Sequence, residues 1–143
     1  MRDSHVRLLS RVHRMLFRVT GGQIGRRIVK NDMLLLTTTG RRTGRSHTVP
    51  LLYLEEGDTT VIIASFGGRD RHPSWYLNLL ATPSVAVQKA GKIFTATART
   101  ASSTERVTWW PRVVAAYADY QTYQTRTDRQ IPIVLLEPVP SRK

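Results

Sequence analysis

The sequence predicts an α+β fold in which a six-stranded, mostly antiparallel β-sheet closes into a small barrel with flanking helices. Short β-type runs separated by Gly or Asp signals fill residues 33–65 and return at 84–100, which is typical of hairpins. A helical segment separates the third strand from the fourth, and further helices precede the sixth. The chain has 143 residues, which suits one domain with a real core.

The N-terminal segment is predicted to be a basic amphipathic helix over residues 4–19. Apolar residues recur there at helical spacing, Ser4 can cap the first turn, and Gly21 follows the end. We divide the chain into this helical leader, residues 1–30, and a β-barrel domain, residues 31–143. The leader has two interpretations: it packs on its own barrel, or it binds an anionic membrane surface.

Six strands are predicted after the leader. They are MLLLTTT at 33–39, HTVPLLYLEE at 47–56, TTVIIAS at 59–65, SVAVQK at 84–89, KIFTATART at 92–100 and IPIVLLEP at 131–138. The first three form two hairpins in series, and a turn at Ala90 and Gly91 joins the fourth and fifth into a third hairpin. Prolines lie at both margins of the last strand, where a ladder tolerates them best.

Two helical regions are predicted between the strands. SWYLNLLA at 74–81 follows a proline, and Ser74 is its expected cap. Ser102 and Glu105 have the spacing of a capping box and open the next helix. We expect that helix to be interrupted or restarted at Pro111, which gives two helical pieces.

Composition excludes several kinds of site. The chain has no Cys, which excludes disulfides, thiol nucleophiles and zinc sites of the cysteine type. Its four His have no close pairing with Glu, so no metal site is expected. No apolar run approaches the roughly 20 residues of a membrane span, and no secretory signal is visible. We expect a cytoplasmic protein, with peripheral contact to the inner face of the membrane as the alternative.

The charge is strongly positive. There are 22 basic residues against 10 acidic ones, a net charge of +12, and most of the basic residues are Arg. Arg suits planar binding of phosphate or carboxylate, although high genomic GC content would produce the same bias. A basic module that binds nucleic acid or a membrane surface is therefore an alternative function. The aromatic residues cluster with apolar ones instead of interleaving with Arg on strands, which counts against nucleic acid.

The turn GRRTGR places three Arg between two apolar strands. Gly40 and Gly44 let the backbone approach a ligand, while Arg41, Arg42 and Arg45 surround it with donors. This arrangement suits a phosphate or a chain of carboxylates. A turn whose charges simply face water is the alternative.

Two further segments are candidates for binding. ASFGGRDRHPSWYLN, residues 64–78, combines a glycine pair with a helix start, against which a flat cofactor could lie; an ordinary loop with Trp75 buried is the alternative. Tyr117, Tyr120 and Tyr123 recur every three residues, which on a helix gives a stripe of phenols. That stripe is either a wall for quinone-like substrates or part of the core.

Together the three segments resemble the deazaflavin-dependent nitroreductase family of actinobacteria. The likeness is carried by LLLTTTGRRTGRSHTVPLLY, IIASFGGRDRHPSWYLNLLATPSVAVQ and YADYQTYQTRTDRQIPIVLLEP, and it runs from about Met33 to Pro138. It implies a split β-barrel related to the FMN-binding pyridoxamine oxidase fold, with coenzyme F-420 as the cofactor. An FMN-binding oxidoreductase on the same barrel is the alternative.

The resemblance also implies which residues form the site. The GRRTGR segment would bind the phosphate and polyglutamate tail of the coenzyme, and the ASFGG turn with the following helix start would hold the deazaflavin ring. The implied coenzyme-binding residues are Arg41, Arg42, Thr43, Gly44, Arg45, Ser65, Phe66, Gly67, Gly68, Pro73, Trp75 and Tyr76. The implied substrate-binding residues are Leu52, Tyr117, Tyr120 and Tyr123. Ser65 and Tyr120 are the implied catalytic residues, which polarise the acceptor oxygen.

The implied reaction is hydride transfer from the reduced coenzyme to a small-molecule electron acceptor with an electron-poor double bond. Quinones and coumarin-type lactones such as aflatoxins are the expected acceptors, and nitroaromatics are further candidates. Leu52 and Arg126 differ from the tyrosine and tryptophan of the best-known nitroreductase, which counts against nitroimidazole prodrugs as substrates. Both a monomer and a homodimer are compatible with the resemblance.

Overall fold

The structure is a computed structural model, and it describes residues 33–140. The predicted helix at 4–19 lies outside the described residues, as does the leader, residues 1–30. The division of the chain into leader and barrel therefore stays a prediction. Within residues 33–140, no helix is both long enough and apolar enough to cross a membrane.

Seven strands and three α-helices make up the described part of the chain. In order they are β1 (Met33–Thr39), β2 (Ser46–Leu52), β3 (Leu54–Glu56), β4 (Thr59–Ile63), α1 (Ser74–Ala81), β5 (Ser84–Lys89), β6 (Lys92–Thr100), α2 (Ser103–Ala116), α3 (Asp119–Thr125) and β7 (Ile133–Pro138). A 3-10 turn, Phe66–Gly68, lies between β4 and α1. The α+β class is confirmed.

The strands form one antiparallel sheet in the order β2-β1-β5-β6-β7-β4-β3. The hairpins β1–β2, β3–β4 and β5–β6 follow the turn signals of the sequence. The two edge strands β2 and β3 are separated along the chain by Tyr53 alone, so the two edges of the sheet are brought together there. The sheet is therefore curled into a half-barrel.

The strand count differs from the prediction, because the run at 47–56 is two strands and not one. Leu52 pairs with Met33 on β1, whereas Leu54 pairs with Val61 on β4. Tyr53, between them, is buried and belongs to the core inside the sheet. The chain turns a corner at this residue to pass from one edge of the sheet to the other. A continuous β-type composition does not reveal such a corner.

Alternation along the strands builds two apolar clusters. Ile62, Val134 and Leu136 belong to the cluster that also contains Tyr76 and Leu79 of α1. Residues on the opposite face of these strands pack with α2 and α3 in a second cluster. The buried members of this cluster are Val61, Ile63, Trp109, Val113, Tyr120, Ile131, Ile133 and Leu135. Strands β4 and β7 are thus covered on both faces, which accounts for their continuous apolar sequence.

Two predictions about helix ends are wrong: the cap at Ser74 and the break at Pro111. Pro73, not Ser74, is the N-cap of α1, and no side chain caps that end. Helix α2 continues through Pro111 and ends at Ala116, so the break between the two helical pieces lies after it. Pro111 is exposed, and Val107, whose carbonyl loses its helical partner, is 76% exposed. Water can reach that carbonyl, which lowers the cost of an internal proline.

The capping box of α2 is confirmed. The Ser102 hydroxyl accepts a hydrogen bond of 3.2 Å from the Glu105 amide, and the Glu105 carboxylate accepts one of 2.8 Å from the Ser102 amide. Glu105 also receives two hydrogen bonds of 2.8 Å each from the Arg99 guanidinium. The hydrogen bonds of Arg99 and Ser102 lower the pKa of Glu105 to about 2.

Replacing Ser102 with alanine should therefore lower the free energy of unfolding by about 1 kcal/mol, the usual cost of losing a serine cap. The matched control is Ser103→Ala, since Ser103 is the exposed first residue of the same helix and caps nothing. Urea denaturation of both variants measures the difference. Equal losses in the two variants would contradict the capping role.

Candidate active site

A cavity of about 380 Å³ lies where the loop after β4 meets α3. Its lining residues are Leu52, Ser65, Gly67, Tyr117, Asp119, Tyr120 and Tyr123. Leu52 ends β2, Ser65 and Gly67 belong to the loop after β4, and the others surround the break between α2 and α3. The four predicted substrate-binding residues, one of which is the predicted catalytic residue Tyr120, thus share one cavity with the other predicted catalytic residue, Ser65.

The loop after β4 has an unusual backbone. Phe66, Gly67 and Gly68 have φ angles of 50°, 65° and 85°, all in the left-handed region. The backbone at Gly68 lies against α3, because a Cβ built there would be 2.6 Å from the Tyr123 carbonyl oxygen. On the outer side, the guanidinium of Arg69 lies 4.5 Å from the centre of the Phe66 ring. The glycine pair therefore permits both the turn and its close packing on the tyrosine helix.

The three tyrosines form a wall in which neighbouring rings meet edge to face. The ring centres of Tyr117 and Tyr120 are 5.8 Å apart, and those of Tyr120 and Tyr123 are 6.0 Å apart. All three rings also pack with the second apolar cluster. The tyrosines are therefore part of the core and also line a cavity, and their role as a wall for quinone-like substrates stays a prediction.

The hydroxyls of the tyrosines differ in what they bind. The Tyr117 hydroxyl donates a 3.3 Å hydrogen bond to the carbonyl of Tyr53. Within residues 33–140, no hydrogen bond uses the Tyr120 hydroxyl, although that residue is only 8% exposed. Burial raises the pKa of the Tyr120 phenol, and the neighbouring Tyr117 and Tyr123 raise it further. Tyr120 therefore stays protonated at neutral pH, and its O–H has no acceptor within residues 33–140.

Asp119 is the one charged residue among those that line the cavity, and the sequence analysis did not single it out. It begins α3 and is exposed. The structure shows no ion pair for it within residues 33–140. Its position inside the tyrosine run was visible in the sequence, but only the break between α2 and α3 turns it toward the cavity.

The Arg-rich turn is held against α1. The Arg41 amide and guanidinium both donate to the Asn78 side-chain oxygen, at 3.2 and 2.8 Å. The Asn78 amide in turn donates to the Thr38 hydroxyl at 3.2 Å, and Asn78 is only 4% exposed. Since a helix rises about 1.5 Å per residue, this anchor is about 6 Å along α1 from its first residue, Ser74. Helix α1 thus ties the Arg-rich turn to the loop after β4.

Four other residues of the turn face outward, whereas Gly40 is buried against the His47 ring, so the prediction that its backbone is open to a ligand is wrong. Arg42, Thr43, Gly44 and Arg45 are all exposed. Arg42 has no hydrogen bond or ion pair with the described residues, whereas Thr43 accepts a hydrogen bond of 3.2 Å from the Arg45 amide. The space around Gly44 is open, since no atom lies within 4 Å of a Cβ built there. The turn therefore exposes the Arg42 guanidinium and leaves open space beside Gly44, whose amide donates to the Gly40 carbonyl at 2.8 Å.

The remaining predicted coenzyme-binding residues lie away from the tyrosine cavity. Pro73 is buried, and Trp75 packs on the core inside the sheet. The Tyr76 hydroxyl lies 2.7 Å from the Thr100 hydroxyl, and its ring faces His72 at 4.8 Å between centres. Tyr76 and His72 line a second cavity of about 200 Å³ at the start of α2. The coenzyme-binding role of these residues stays a prediction.

Two further arginines that sequence reasoning did not place in the site contact the loop after β4. Arg129, in the segment between α3 and β7, donates to several carbonyls of that loop. Arg126 donates to the Gly67 carbonyl at 3.3 Å and lies 5.4 Å from the centre of the Tyr123 ring. Within residues 33–140, no group of three His, Asp or Glu side chains could hold a metal ion.

Comparison with known proteins finds relatives over most of the chain. The sequence model of the F420H(2)-dependent quinone reductase family matches residues 9–138. An F420H(2)-dependent quinone reductase of Mycobacterium tuberculosis is 40% identical over 132 residues, which cover 90% of this chain and 89% of the relative.

Two solved structures are similar in both sequence and fold. An F420-H2 dependent reductase is 44% identical, with a TM-score of 0.68, and the match covers 73% of this chain and 93% of that one. A chain described as a domain-swapped dimer is 37% identical, also with a TM-score of 0.68, and the match covers 84% and 98% of the two chains.

Proposed function

The chain belongs to the F420H(2)-dependent quinone reductase family, and from this premise we propose that its tyrosine cavity binds a quinone for reduction. The protein is an oxidoreductase that depends on coenzyme F-420. Membership of this family favours coenzyme F-420 over FMN as the cofactor. It also favours an oxidoreductase over a basic binding module as the main function. The observation that carries the proposal is that Tyr120 lines the cavity while its hydroxyl makes no hydrogen bond within residues 33–140.

The residues present fit the coenzyme. Its phosphate and glutamate carboxylates are anionic, and the exposed Arg42 and Arg45 offer planar donors that suit both groups. Arg41 would contribute from an anchored position, because Asn78 already fixes its guanidinium. Gly67 has open space beside its backbone, as Gly44 does, so a flat ring can approach the loop. These residues would hold the coenzyme.

When bound, the reduced coenzyme supplies a hydride from its deazaflavin ring, which is the demanding part of the chemistry. The protein's own residues orient the acceptor and polarise it. Tyr120 donates a hydrogen bond to an acceptor oxygen, and Ser65 offers a second hydroxyl in the same cavity. Because the pKa of Tyr120 is raised, this phenol favours hydrogen bonding over giving up its proton. The proton that completes the reduction comes from solvent, which reaches the exposed side of the cavity.

The charge of the cavity favours neutral acceptors. Asp119 places a carboxylate among lining residues that are otherwise uncharged. A neutral quinone therefore enters more favourably than a sulfonated one. Coumarin-type lactones and nitroaromatics also present acceptor oxygens to Tyr120, and they are further candidate substrates.

The experiment follows oxidation of reduced coenzyme F-420 with a panel of acceptors. We expect turnover with neutral naphthoquinones and weaker turnover with a sulfonated naphthoquinone. Coumarins and a nitroaromatic in the same panel define the range of acceptors. A coenzyme that binds but is not oxidised by any quinone would overturn the proposal.

Replacing Tyr120 with phenylalanine should lower kcat/KM for quinones by about tenfold, which corresponds to one lost hydrogen bond of roughly 1.4 kcal/mol. The ring and the cavity shape stay, so the affinity for the coenzyme should not change. Tyr117→Phe is the matched control, since its hydroxyl already donates to the Tyr53 carbonyl. Steady-state kinetics in which both variants behave alike would remove Tyr120 from its role.

A further inference from the structure

Arg129 joins the segment before β7 to the loop after β4. Its Nε donates to the Arg69 carbonyl at 2.7 Å, and its Nη2 donates to the Ser65 carbonyl at 2.7 Å. Its Nη1 donates to the Ala64 carbonyl at 3.2 Å and lies 3.0 Å from Nδ1 of His72. One guanidinium therefore holds the loop at its beginning, its middle and its end.

The loop needs such support because its own structure is unfavourable. Phe66 has a φ of 50°, a conformation that costs a non-glycine residue roughly 1 to 2 kcal/mol. Backbone hydrogen bonds inside the loop are few: the Gly68 amide donates to the Ser65 carbonyl and the Arg69 amide donates to the Phe66 carbonyl. A planar guanidinium with five fixed donors can satisfy several carbonyls at once, which a lysine cannot do.

The same loop supplies two lining residues of the tyrosine cavity, Ser65 and Gly67. We propose that Arg129 is a positioning residue of this active site, which holds Ser65 and Gly67 in place through the loop carbonyls and is coupled to pH through His72. The proposal rests on the proposed function. Arg129 itself does not line the cavity, so its effect on the reaction passes through the loop.

His72 couples the hold of Arg129 on the loop to pH. Arginine has no acceptor, so the 3.0 Å contact requires an unprotonated Nδ1 on His72. The groups that face His72 are Arg129, the Tyr76 ring from α1 and, across the second cavity, Arg106 from α2. Burial lowers the pKa of the Arg129 guanidinium, and the charge of the Asp70 carboxylate on the same loop acts on Arg129 by raising that pKa. Protonation of His72 would replace the hydrogen bond with repulsion between two cations. The loop should therefore loosen as His72 takes up a proton.

The direction of the pH effect follows from the same contacts. Burial lowers the pKa of His72 below its usual value of 6.5, and the charge of Arg129 lowers it further. Below pH 6.5 His72 therefore binds more protons in the unfolded chain, or in a loop released by Arg129, than in the loop that Arg129 holds. The hold of Arg129 on the loop therefore weakens as the pH falls below 6.5, and it is fully present above that pH.

The test compares Arg129→Gln with Arg126→Gln, which removes an arginine that makes one longer contact with the same loop. Hydrogen exchange of peptides covering residues 64–72 reads the loop without any ligand. Arg129→Gln should speed this exchange and lower kcat/KM for a neutral naphthoquinone by about 10- to 100-fold, as expected for misplaced lining groups. Arg126→Gln should change both by less, and Arg129→Lys should give an intermediate result because it keeps the charge without the planar fork.

The variant His72→Asn tests the coupling to pH, since its side-chain oxygen accepts from Arg129 and does not titrate. We expect wild type to lose kcat/KM and loop protection below pH 6.5, and His72→Asn to keep both. Unchanged exchange in Arg129→Gln, or an acid limb that persists in His72→Asn, would overturn the inference. If wild type itself reduces no quinone, the proposed function fails, and hydrogen exchange still decides whether Arg129 and His72 hold the loop.

Discussion

Replacing Arg42 with alanine is expected to weaken binding of coenzyme F-420 by about ten- to a hundredfold. A hydrogen bond between charged groups is worth roughly 1.5 to 3 kcal/mol, and the Arg42 guanidinium is exposed with no partner within residues 33–140. The variant therefore removes a ligand contact without breaking a bond inside the described structure. Fluorescence titration of the coenzyme measures the loss, which should shrink at high salt as the charges are screened.

Two further variants are compared with Arg42→Ala. Lys92→Ala removes the same charge from the exposed first residue of β6, and its coenzyme affinity should equal that of wild type. Arg41→Ala should weaken binding of the coenzyme and also destabilise the fold, because the buried Asn78 loses the shorter of its two hydrogen bonds from Arg41. Equal affinities in Arg42→Ala and wild type would remove the Arg-rich turn from the coenzyme site.

Replacing Gly68 with alanine is expected to be the most damaging single change to the loop after β4. The new Cβ would lie 2.6 Å from the Tyr123 carbonyl oxygen and 3.0 Å from Cβ of Arg126, and backbone cannot move away as a side-chain tip can. The left-handed φ of 85° adds strain of roughly 1 to 2 kcal/mol, and overpacking adds about 1 to 3 kcal/mol. The free energy of unfolding should fall by about 2 to 5 kcal/mol.

Gly67→Ala is the matched control for that change. Gly67 has a φ of 65°, yet no atom lies within 4 Å of a Cβ built there. Its alanine variant should lose only the backbone contribution of roughly 1 to 2 kcal/mol. Urea denaturation compares the two variants. If Gly67→Ala costs as much as Gly68→Ala, close packing of the loop on α3 is not what the glycine at position 68 provides.

The fold was predictable wherever local pattern decides it. The hairpin of β5 and β6, its turn at Ala90 and Gly91, and the capping box at Ser102 each depend on a few neighbouring residues, and all three are confirmed. The corner at Tyr53 and the passage of α2 through Pro111 depend on tertiary structure. One follows from the curl of the sheet and the other from exposure of the helix face, and neither leaves a local signal.

The candidate site shows the same division. The tyrosine stripe was visible by its spacing, and the structure places all three rings at one cavity with Leu52 and Ser65. Arg129 acts on the Ser65 carbonyl across 64 positions of sequence, and no motif in a single sequence records such a partnership. Asn78 is similar, because its role as the anchor of Arg41 depends on the packing of α1 against β1.

We propose that the Arg-rich turn binds the coenzyme and that the tyrosine cavity binds the acceptor. The most direct test measures the coenzyme Kd and the quinone kcat/KM, at saturating coenzyme, side by side in Arg42→Ala and Tyr120→Phe. Arg42→Ala should raise the coenzyme Kd with little change in kcat/KM, and Tyr120→Phe should lower kcat/KM at an unchanged Kd. Two variants that change both constants together would contradict the claim that these are separate parts of one site.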